Sequence, residues 1–164
     1  MKNKKTTIFK SYFNLFNIIY DKLSLNGRKQ FESYTEQKNI IHSLEFDFQY
    51  KEGYKNFIKL YMTSRFDILE NFNRFSSISI ENFRIKNSKY LEAVKELSKI
   101  DIDAFLSEID IEILNEYIRL EDELNNLIIE YLFLKGHIDC IDLAIILDMP
   151  IDQDNKYIKA FYLR

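Results

Sequence analysis

The sequence predicts an all-α protein, a helical bundle of roughly six or seven helices. Three observations carry that reading. The 164 residues are 46% hydrophobic and 30% charged, with only 3 glycines and 1 proline, too few turn residues for a sheet protein and too much apolar content for disorder. Apolar residues recur at steps of three and four instead of alternating. Two stretches keep those steps over six intervals: Tyr54, Ile58, Tyr61, Arg65, Ile68, Phe72 and Phe75, then Ile113, Tyr117, Leu120, Leu124, Leu127, Tyr131 and Leu134. A repeat of about 3.5 residues keeps one seam turned toward a neighbouring helix, as in bundles and coiled coils.

Taken in order, the pattern places helices at 6–25, 28–50, 54–75, 88–99, 111–135, 139–147 and 154–163, with ends good to about 2–4 residues. Phe9, Tyr12, Phe16, Ile19 and Leu23 give the first a shorter seam. Gly27, Gly53 and Gly136 are expected to close helices, since glycine adopts the left-handed conformation cheaply. Ser88, Asp110, Asp139 and Asp154 are expected N-caps. "EFDFQY" at 45–50 and "SISIENFRI" at 77–85 alternate in part, so each could be a short strand. Residues 1–164 are read as a single all-α domain, with 136–164 as a possible sub-unit.

One cysteine, Cys140, excludes an internal disulfide and points to a reducing compartment. Polar residues break the apolar run of "MKNKKTTIFKSYFNLFNIIYDKL", so neither a signal peptide nor a membrane span is expected, and the location is read as cytoplasmic. The wealth of Asn, Ile, Lys, Phe and Tyr is what AT-rich codons produce, as in a low-GC bacterium or one of its phages.

Charge is divided along the chain. Residues 101–154 hold fifteen acids against two bases, Arg119 and Lys135, so this stretch carries −13 and the remainder +10, within a net charge of −3. On a helix over 111–135, Glu112, Glu116, Glu123 and Glu130 fall within about 40° of one another, beside the apolar seam. Arg119 stands at the edge of that stripe, three residues from Glu116 and four from Glu123. A solvated face that maintains solubility explains such a stripe. So does a surface that meets a basic partner, because like charges repel within the fold and complementary charge speeds encounter. Asp122, Asp139 and Asp142 would extend the patch.

Catalytic and metal-binding patterns are sparse. His137, Asp139, Cys140 and Asp142 lie close in sequence, but no second His or Cys cluster completes a tetrahedral site, so His137 is read as a helix-terminus residue beside capping carboxylates. Neither histidine follows a glutamate by three residues, and no glycine-rich phosphate loop occurs. No cofactor or metal is expected, and no enzymatic activity. Arg65, in a seam between Tyr61 and Ile68, is read as snorkelling, stacking or pairing with a carboxylate. The aromatic and basic N-terminal half could stack single-stranded bases, although most of those rings are expected in the core.

Within "GHIDCIDLAIILDMP" (136–150) and "DQDNKYIKAFYLR" (152–164), residues 139–163 resemble the helix pair of helix-turn-helix and winged-helix domains. Leu143, Ala144 and Leu147 would face the second helix, and Met149 and Pro150 would form the turn. The resemblance implies a DNA-binding transcriptional regulator, with dimerisation through a seam as one form of it. Against it, Asp152 and Asp154 stand where a recognition helix needs Arg, Asn or Gln, within a stretch that repels phosphate. The favoured expectation is a small non-enzymatic inhibitor, immunity or anti-defence protein whose acidic C-terminal half docks on a basic nucleic-acid-handling protein, with a homodimer left open.

Overall fold

A computed structural model of the chain describes residues 2–63 and 72–148, with side chains described for 6–59 and 76–148. Among the described residues there is no strand, and six helices follow one another: α1 (Lys2–Lys22), α2 (Leu25–Thr63), α3 (Phe72–Lys86), α4 (Ser88–Leu97), α5 (Asp103–Leu106) and α6 (Ile111–Ile146). None is long and apolar enough to cross a membrane. Several expected boundaries are overturned. Neither Gly53 nor Gly136 ends a helix, so α2 runs for 39 residues and α6 for 36. The expected helix at 139–147 is therefore the end of α6. Both stretches read as possible strands are helical, 45–50 within α2 and 77–85 within α3. Pro150, Asp154, the helix expected at 154–163 and Arg65 lie outside the described residues.

The glycines are used differently from the way the sequence suggested. No described glycine has positive φ, and the left-handed residue past α6 is Asp148, at φ 53°, a residue type that tolerates that region. A Cβ on Gly53 would lie 2.1 Å from the Phe133 carbonyl oxygen, and one on Gly136 would lie 2.2 Å from that of Tyr50. Glycine here lets α2 and α6 touch backbone to backbone.

By contact the chain divides into two compact units, each with its own core. The first takes Met1–Leu44 and Asn87–Leu127, the second Glu45–Lys86 and Ile128–Arg164, so α2 and α6 contribute to both. In the first unit Ile19, Leu23, Phe31, Phe105, Ile109, Leu114 and Tyr117 form the core. Phe31 meets Phe16, Phe105 and Tyr117 at centroid distances of 5.4, 5.5 and 5.8 Å. The turn into α2 is held at both ends. Ser24 Oγ accepts from Gly27 N at 3.1 Å as an N-cap. Arg28 Nε donates to the carbonyls of Tyr20 and Leu23, among the last acceptors of α1. Glu108 accepts from both the Ser24 amide and its hydroxyl, which hold its carboxyl below the usual range. Asn87, not Ser88, caps α4 by accepting from Tyr90 N at 3.0 Å. Asp110 caps α6 as expected, accepting from Glu112 N at 2.8 Å.

In the second unit Phe57, Phe133, Cys140 and Ile141 form the core. Helix α3 is fastened to α2 largely by polar groups. Gln49 donates to the Ser76 carbonyl at 3.0 Å, Ser79 donates to Gln49 Oε1 at 3.2 Å, and Arg84 Nε donates to the buried Glu45 at 2.7 Å. Phe48 stacks on Phe83 at 4.4 Å between centroids. Buried Ser76, Ile80 and Phe83 follow at steps of four and three, the helical period that the partial alternation of 77–85 concealed.

Candidate partner-binding surface

The buried side of α6 decides what its carboxylates can do. The expected 3.5-residue seam holds only in part: Tyr117 and Leu120 are buried and Ile113 and Leu134 pack against the cores, but Tyr131 is 47% exposed, whereas Phe133 is 1% exposed. The buried line advances instead in steps of four, through Tyr117, Glu121, Asn125, Ile129, Phe133, His137 and Ile141. A helix of about 3.6 residues per turn holds a 3.5-residue seam only by supercoiling; this one follows a four-residue ridge, and its buried side turns around the helix. Of the seam expected over 54–75 only Tyr54 and Ile58 have described side chains: Tyr54 packs against the second core, whereas Ile58 is exposed and its neighbour Phe57 is buried.

In the first unit Glu112, Glu116 and Glu123 lie within about 40° of one another on α6. The buried Leu114, Tyr117, Leu120, Glu121 and Asn125 centre about 150° away. The stripe thus stands nearly opposite the packed side and not beside it, which corrects the placement drawn from the seam. Arg119 grips Glu116 with two hydrogen bonds of 2.7 Å and reaches Glu123 at 3.0 Å. The hydrogen bonds from Arg119 hold the Glu116 carboxyl below its usual range. Those three side chains sum to one negative charge, and Glu112 adds a second. Glu112 forms no ion pair among the described residues. Asp122 is exposed but lies about 120° around the helix from Glu116.

The second unit holds the other three acids, and they do not form one patch. Asp139 follows Glu130 by nine residues, which puts the two about half a turn apart. Asp139 accepts from Tyr50 Oη at 2.9 Å and pairs with Lys135. Burial raises its pKa, yet those two hydrogen bonds prevail and leave it below the usual range. It ties α2 to α6 and does not cap a helix. Asp142 is exposed, three residues on and toward the side of Asp139.

Other chemistry-bearing groups that sequence reasoning missed are buried. Tyr12 and Tyr117 share a hydrogen bond of 2.8 Å and stack at 4.9 Å. Near them Lys38 pairs with Glu121 at 3.1 Å, their side chains 18% and 7% exposed. Burial lifts the Glu121 pKa, and the charge of Lys38 offsets that only in part. The four-residue spacing of Glu121, Asn125, Ile129 and Phe133 was the available signal. His137 is no helix-terminus residue: it lies inside α6, 1% exposed, with Nδ1 donating to the Phe133 carbonyl at 2.9 Å. Its ring meets those of Phe133 and Phe57 at 4.8 and 6.2 Å. Burial depresses its pKa to about 4, so the imidazole is neutral near pH 7. Among the described residues no group of three or more His, Cys, Asp or Glu side chains is placed to hold a metal ion. Compared with protein families, with curated proteins and with solved structures, the chain matches none.

Proposed function

We propose that this chain is a non-enzymatic binding factor whose acidic ridge on α6 docks on a cationic protein surface, such as the nucleic-acid site of a basic enzyme. An inhibitor, an immunity protein or an anti-defence factor acts in that way. The observation that carries the reading is the position of Glu112, Glu116 and Glu123 on the side of α6 away from its core, with a single arginine among them. Carboxylates gathered there repel one another, and the one arginine offsets only part of that repulsion. A positive partner turns that repulsion into attraction and speeds encounter. Glu112, Glu116 and Glu123 make the centre of the surface, with Asp122 about a quarter-turn or more away from it. Glu130 lies further along the helix, and Asp139 and Asp142 belong to a different side. Arg119 holds two of the glutamates rigid, which lowers the ordering cost on binding.

The test compares proteins captured from host extract by the full chain and by its Glu112→Lys/Glu123→Lys variant, quantified at low and moderate salt. The expected result is a basic protein held at low salt by the parent, released as salt rises, and lost by a variant that melts at the parent's temperature. Equal capture by both chains, or duplex DNA bound by the parent more tightly than any protein, refutes the reading.

A further inference from the structure

Helix α1 carries a row of aromatic rings that its own core does not use up. Phe9, Phe13, Phe16 and Tyr20 follow at steps of four, three and four, which keeps them within about 60° around the helix. Phe9 and Phe13 are 57% and 54% exposed. Phe16 and Tyr20 are partly buried and stack with centroids 6.0 Å apart and planes 15° from parallel. The Arg28 guanidinium lies 4.9 Å from the centroid of the Tyr20 ring and closes the row at that end. Lys10 and Asn17 are exposed along one side of the row. Lys2, Lys4, Lys5 and Lys10 precede the first acid, Asp21.

We propose that this aromatic rail binds single-stranded nucleic acid. Strands without fixed sequence are held by aromatic faces on which bases stack, together with cations along the backbone, and both elements are present here. Phe9 and Phe13 are separated by about 6 Å of helix rise, so each can take a base. The exposed amide of Asn17 offers donors and an acceptor to base edges, and Lys10 neutralises phosphate. Asp21 and Glu32, which accepts from Tyr20 Oη at 2.6 Å, stand at the far end, so the strand follows the Phe9 and Lys10 end. A duplex hides its base faces and gains only the lysine contacts. A membrane surface suits the rail less well, because an interfacial helix needs a broad apolar face and polar Lys10 and Asn17 flank these rings. The site is separate from the acidic ridge and does not depend on it.

The full chain is titrated into a fluorescein-labelled oligothymidylate of about twenty nucleotides at about 50 mM salt and followed by anisotropy, with a duplex of the same length as competitor. The parent chain is expected to bind the single strand in preference to the duplex. Phe9→Ser/Phe13→Ser is expected to weaken that binding by about tenfold or more. Lys10→Glu is expected to weaken it and to flatten its salt dependence. Circular dichroism and thermal melting, unchanged in both variants, show that the fold is kept; should the double serine variant unfold, Lys10→Glu carries the test. Absence of binding by the parent, affinity unchanged in the variants, or binding to phosphatidylserine vesicles in place of the oligonucleotide overturns the proposal.

Discussion

His137 sits where a phenylalanine would be unremarkable, between the rings of Phe57 and Phe133, and its burial has a measurable consequence. The unfolded chain protonates it near 6.5, the folded chain only near 4. As pH falls through that window the unfolded state binds a proton that the folded state refuses. Stability is therefore whole above about pH 6.5 and declines toward pH 4, by about 3 kcal/mol for this group alone. Urea unfolding of the parent and of His137→Gln at pH 7, 5 and 4 measures it: the difference between the two is expected to shrink or reverse on acidification, and parallel curves would contradict it. Gly53 and Gly136 lend themselves to an equally direct check. Gly53→Ala and Gly136→Ala each drive a methyl into a facing backbone, and each is expected to cost about 3 kcal/mol or more in thermal or urea unfolding. Gly27→Ala meets only the end of the Glu108 side chain, at 2.9 Å, and is expected to cost much less.

The long helices α2 and α6 show where sequence patterns mislead. Their all-helical nature was legible from scarce glycine and proline and from helical spacing, and Asp110 was legible as a cap because its carboxylate precedes a long periodic run. Their lengths were not, since a glycine that permits a close crossing looks the same in sequence as one that ends a helix. Their faces were misphased because the apolar pattern alone set the phase, whereas polar Glu45, Gln49, Glu121 and Asn125 each lie in a buried four-step line. The acidic stripe was legible as an arc of one helix, but its relation to the core depended on that phase, and Asp139 was spent on Tyr50 and Lys135, partners that charge counting does not reveal. The buried pair Lys38 and Glu121 supplies a test of these lines. Lys38→Met strands a buried carboxylate, at an expected cost of about 3–5 kcal/mol. Lys38→Met/Glu121→Leu is expected to recover most of that loss, because an apolar pair needs no desolvation of charge. Urea titrations of both variants decide it, and a double variant as unstable as the single one would show that the site needs its polarity.

Over the whole chain, opposite charges are kept apart: residues 101–154 carry −13 and the rest +10. Helix α6 runs through the acidic stretch and contributes to both units, each closed around its own apolar core. Stability explains the two cores, but not three glutamates on the outward side of α6 with one arginine between them. The proposed binding to a cationic partner would account for them, and electrostatic attraction leaves a signature in rate more than in lifetime, since exposed charges act mainly on diffusional encounter. The most direct measurement is the association rate constant of the full chain with its captured partner across a range of ionic strength, for the parent and for Glu112→Lys/Glu123→Lys. A rate that falls steeply with salt in the parent, and is about tenfold lower and nearly flat in the variant, is what the acidic ridge predicts. Identical rates with identical salt dependence would contradict it.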